Sequence, residues 1–128
     1  KRTLESYLPF SNSHTFDLKS VSKSFPYNIP HSRFLKPYSR RLRFLEPLKI
    51  QKIKSDLNYA ARTGSIYHMY FHPHNFGVNQ EKNMGMFKVI AEHFAELSEK
   101  YGMKSMNMME VANSAKNYAS RNNSIDGV

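Results

Sequence analysis

GSIYHMYFHPHNFG, residues 64 to 77, is the stretch on which the fold turns. From Ile66 to Phe71 every residue is aromatic, β-branched or long and apolar, except His68. Near-continuous apolarity over six residues predicts a short strand of a parallel sheet, buried on both faces. Pro73 lacks a backbone donor and stops the strand, which makes HPHNFG the following loop. His72 then stands at the strand's carboxyl end, with Tyr70 and His68 on the same face at spacing two. Working residues of α/β proteins gather at such ends, and a histidine there can serve as general acid or base. A second reading takes His72 and His74 as metal ligands, but two ligands fall short of the three that a catalytic zinc usually has. A third is structural, with His74 and Asn75 bonding the turn. His68 reads as a satisfied core histidine, and His93 as lying on the wet side of its helix.

Outward from this stretch the pattern is helical on both sides. A helix begins at Glu46 with Pro47 in its first turn. Ile50, Ile53, Leu57 and Ala60 recur at helical spacing, and Lys49, Lys52 and Lys54 fall mostly on other faces. Gly64 ends it as a left-handed cap. A second helix runs from about Gln80 to Tyr101, with Met84, Phe87, Ala91, Phe94, Leu97 and Tyr101 as its apolar stripe, and ends at Gly102. Met103 to Met106 reads as another short strand. Asn107 and Glu110 have the capping-box offset for a last helix reaching about Ala119. The order helix, strand, loop, helix, strand, helix is an α/β alternation. Two strands leave edges and faces open, so the chain reads as the C-terminal end of a larger α/β barrel or sheet, incomplete as a barrel on its own. Residues 1 to 30 form an irregular, extended lead-in, 31 to 119 the α/β part, and 120 to 128 a fraying tail.

The totals bound the function loosely. The 128 residues suit one small domain or a piece of a larger one. There is no cysteine, which excludes thiolate chemistry and disulfides. No apolar run spans a membrane and no signal peptide shows, which favours a cytoplasmic setting. The first residue is not methionine, so the chain is expected to be processed, trimmed or the tail of something longer. The formal charge of +9 suits a polyanion as well as a lysine-rich surface. Eight cations fall between Arg33 and Lys54, with Phe34, Tyr38 and Phe44 among them. That stripe could track a phosphate backbone and stack bases. No spacing of a known nucleic-acid module accompanies it, so a small nucleic-acid-binding module is the alternative reading and a solvated face the plainer one. The methionines at 103, 106, 108 and 109 read as core filler.

IPHSRFLKP (29 to 37), the helix after it, GSIYHMYFHPHNFG and the closing KYGMKSMNMMEVA (100 to 112) together resemble the C-terminal part of the polysaccharide deacetylase family, the NodB-homology, carbohydrate esterase family 4-like proteins. The resemblance covers roughly residues 26 to 113. It implies a distorted (β/α) barrel and hydrolysis of acetyl groups on sugar polymers, often in bacterial surface-polysaccharide synthesis. It implies a divalent metal, commonly zinc, held by an aspartate and two histidines of the N-terminal half as a Lewis acid, with a second aspartate as base. His72 matches the family's late histidine, the general acid, and Tyr70, His74 and Asn75 would line the substrate pocket. The adjacent aspartates and the metal-binding histidine pair of the family are absent. The resemblance therefore implies a fragment that needs the missing N-terminal barrel half and does not turn over alone. Its partner would be an acetylated polysaccharide or oligosaccharide.

Overall fold

The computed structural model describes residues 14 to 125; the readings for residues 1 to 13 and 126 to 128 lie outside it. Helix dominates. In chain order come α1 (Leu18–Val21), β1 (Arg33–Phe34), a 3-10 helix (Arg40–Leu45), α2 (Glu46–Thr63), β2 (Met69–Tyr70), α3 (Pro73–Gly77), α4 (Gln80–Tyr101) and α5 (Met108–Ile125). The expected β/α units of a distorted barrel do not form. The sheet of the described residues is one parallel pair, Arg33 opposite Met69 and Phe34 opposite Tyr70.

The reason lies in the partners. A strand needs a neighbour along its length, and β1 offers only Arg33–Phe34, within a segment that Pro30 and Pro37 bound at its ends. IYHMYF therefore keeps two ladder residues, plus an antiparallel bridge from Ile66 to Phe16. Met103 to Met106 lies outside any regular element. HPHNFG is not a loop, because Pro73 to Gly77 coil into α3. The last helix runs on past Ala119 to Ile125.

The long helices form where the sequence punctuates them. Pro47 sits in the first turn of α2, and Gly64 closes it at φ 65°. Gly102 closes α4 at φ 69°. In this left-handed region a side chain is strained, and glycine is the natural occupant. At α5 the capping box is reciprocal: the Glu110 N–H donates to Asn107 Oδ1 at 3.0 Å, and the Asn107 N–H donates to Glu110 Oε2 at 2.7 Å.

The core lies between the sheet and the α2–α4 pair. It gathers Leu35, Ile53, Leu57, Phe76, Met86, Ile90 and Leu97. The apolar stripe of α4 is rotated from the expected one. The helix buries Asn83, Met86, Ile90 and Leu97, whereas Met84 and Phe87 stay exposed. His93 is not on a wet face either, since its Nε2 meets Asn58 Oδ1 of α2 at 3.0 Å. Met103 packs on the core, but Met106, Met108 and Met109 are exposed and fill nothing.

Candidate functional site

The two faces of the sheet differ in kind. Alternation along β1 turns Arg33 and Leu35 toward α2 and Phe34 the other way. Toward α2 the sequence places charge where a lysine-rich wet face was expected. Lys49 and Lys52 are 2% and 1% exposed, and Asp56 is fully buried. Asp56 accepts from Lys52 at 2.8 Å and from Arg33 at 3.2 Å. Lys49 pairs with Glu46 at 2.6 Å and donates to the Lys36 carbonyl at 3.0 Å. Of the eight cations between positions 33 and 54, Arg33, Lys49 and Lys52 are thus spent inside the molecule. Tyr67 reaches the same region. Burial pushes its phenol well above the ordinary range, against the pull of the neighbouring Arg33 guanidinium, with Asp56 adding to the rise. The Lys36 ammonium is held below its ordinary value, first by burial and then by Arg33 and Lys49.

The opposite face carries rings. Tyr70 lies 5.2 Å from both Phe34 and His31, and 6.1 Å from His72, centroid to centroid. Phe34 is 5.4 Å from His72, and His72 stacks on His74 at 5.5 Å. His68 joins the row at 6.3 Å from Tyr70. Its Nδ1 lies 3.0 Å from the Pro30 carbonyl, which can only accept, so Nδ1 carries the proton. His68 is half-buried on this face rather than in the core, while His31, His72 and His74 are exposed. Four imidazoles and two aromatic rings thus share one open strip.

His72 is fixed from both sides. Before it, the Leu35 N–H donates to the Tyr70 carbonyl at 2.8 Å, which locks the end of β2 to β1. After it, the His72 carbonyl accepts from the Asn75 N–H at 3.0 Å and starts α3. Phe76 then plugs the core and meets the Phe71 ring at 4.6 Å. Asn83, fully buried on α4, bolts this turn down. Its Nδ2 donates to the carbonyls of Val78 at 2.7 Å and Phe76 at 3.2 Å, and its Oδ1 accepts the Tyr38 N–H at 2.6 Å.

The structure thus brings together His72, Tyr70 and His74, which the sequence singled out. Asn75 sits half-buried in the first turn of α3 with its backbone engaged. Sequence reasoning missed Phe34 and His31 as members of the strip, and Asn83 as its support. A lone asparagine on a helix gives no signal of burial. The spacing of Phe34 from Arg33 and Leu35 would have shown the alternation.

Among the described residues no group of three or more histidine, aspartate or glutamate side chains could hold a metal ion. Nor is any described helix long and apolar enough to cross a membrane. Comparison with protein-family models, with curated proteins and with solved structures gives no match.

Proposed function

We propose that the chain is the C-terminal portion of a carbohydrate deacetylase, which removes acetyl groups from sugar polymers with His72 as general acid. What carries this reading is the exposed imidazole of His72, held at the carboxyl end of β2 beside the Phe34 and Tyr70 rings. Flat apolar rings flanking a proton donor suit a sugar, whose C–H face lies against a ring while its polar groups stay free to bond. As the C–N bond of the acetamide breaks, the His72 imidazolium gives its proton to the departing amine and is left neutral. Tyr70, His74 and Asn75 border the place where that sugar would lie. The residues described here do not make the metal site or supply the base, and no step is assigned to them for activating water. In this reading both come from a preceding part of the same enzyme, working in the cytoplasm on surface polysaccharide.

The test is to express the reading frame together with its upstream sequence and to measure acetate release from an acetylated chito-oligosaccharide. The expected result is a metal-dependent activity that His72→Ala lowers by about 10²- to 10⁴-fold in kcat, the usual weight of a general acid, with a smaller change in KM. A stop codon or an unrelated domain upstream, or full activity in the His72→Ala enzyme, overturns the reading.

A further inference from the structure

The stripe of α4 that the core leaves unused faces a groove of about 810 Å³. Phe87, Ala91 and Phe94 line it from α4, Tyr67 and Met69 from the β2 region, and Met106 from the segment before α5. The floor is apolar, but one wall is a strand edge. In the parallel ladder the His68 carbonyl accepts from Arg33 and the Tyr70 carbonyl from Leu35, so these groups turn toward β1. Alternation turns the N–H and C=O of Met69 to the other edge, with those of Tyr67 and Phe71. Among the described residues no backbone hydrogen bond reaches that edge. The segment from Gly102 to Asn107 is not helical and borders the groove without pairing to β2.

The chemistry of the edge selects its occupant. Donors and acceptors at every second residue match another extended backbone. A helix has spent its own groups, and a hydrocarbon would cover these polar groups without bonding them, which is costly. An apolar strand edge of this kind is a template for pairing that proteins normally cover. Charge narrows the choice further. Lys104 lines the groove and no aspartate or glutamate does, so the complement is acidic where it passes Lys104.

We infer that the free edge of β2 and the groove beside it take an extended segment of a partner polypeptide as an added strand, apolar at alternate residues and acidic where it passes Lys104. This is independent of the deacetylase reading, because it uses the edge of β2 rather than the ring face.

The probe is a synthetic peptide, acetyl-TVTVEV-amide, added to the whole ¹⁵N-labelled chain while amide exchange is followed residue by residue. In the free chain the Met69 amide should exchange fast and the Tyr70 amide slowly. The peptide should slow the Met69 and Phe71 amides at least tenfold and leave Tyr70 unchanged. The same peptide N-methylated at alternate residues should not bind. Lys104→Glu, at an exposed position that leaves the core alone, should weaken the peptide several-fold and favour its lysine analogue. Three results would each overturn the inference: a Met69 amide already protected in the free chain, equal binding of the N-methylated peptide, or concentration-dependent pairing of β2 edges between two copies in sedimentation, which would name a second copy as the occupant.

Discussion

Arg33 and Phe34 are neighbours in one two-residue strand, yet they serve opposite ends. Arg33 enters a buried network with Asp56 and Lys52, sealed beneath α2. Phe34 lies in an open strip with Tyr70 and His72. The buried face is committed, since each charge there depends on its partner and none can leave without stranding another. On the open face His31, His72 and His74 are exposed, while His68 is half-buried with its Nδ1 on the Pro30 carbonyl. One face holds the fold, and the other stays largely open to solvent.

The sharpest way to break this contrast is to remove the hub of the buried face. Asp56→Ala strands two buried cations, and breaking such a pair from one side costs about 3 to 5 kcal/mol. Urea unfolding of the chain should show a loss of that size. A loss under about 1 kcal/mol, the weight of a surface pair, would mean that water already reaches the network.

Ile53 lies beside that network, fully buried. Ile53→Ala should cost about 2 to 5 kcal/mol through lost burial and the cavity left behind, read from the same denaturation midpoints. Its effect should add to that of a change on the ring face, because the two share no partner.

The pH dependence sharpens the contrast in another way. The Tyr67 phenol has its folded value raised above the unfolded one by burial. Its contribution is fully present below the unfolded value near 10 and is lost as pH rises beyond it, with a limiting slope of about 1.4 kcal/mol per pH unit for one proton. Lys36, held low, works the other way, because its cost shrinks as pH rises toward the ordinary lysine value. Stability measured from pH 9 to 11 should therefore fall less steeply in Tyr67→Phe than in the unaltered chain. Equal slopes would show that the phenol is not sealed.

The smallest effect belongs to the ring face. His72→Ala and Phe34→Ala should each change stability by about 0.5 kcal/mol for the exposed histidine and by somewhat more for the half-buried ring. A loss of several kcal/mol from His72→Ala, seen as a drop in melting temperature, would make the strip a structural element.

The order of residues places both ends of α2 and α4 and the start of α5, but not the end of α5 at Ile125. Proline in a first turn, glycine where φ is positive and a reciprocal Asn107–Glu110 cap are local chemistry, and local chemistry is legible in order. It also placed His72 beyond the last residue of a short strand, because Pro73 cannot extend a ladder. Tertiary structure decided what depends on a neighbour. Whether IYHMYF becomes six residues of strand or two rests on the length of the strand beside it, and that strand pairs only at Arg33 and Phe34. Whether Lys49 and Lys52 face water rests on where Asp56, Glu46 and Arg33 lie, since a lysine is buried only when a counter-charge meets it. Whether Met84 or Met86 points inward rests on the rotation of α4 against α2. The neighbouring stripe of Met84, Phe87, Ala91 and Phe94 is the more apolar in sequence, and packing, with Asn83 bolted to the turn after His72, turns the stripe of Asn83, Met86 and Ile90 inward instead.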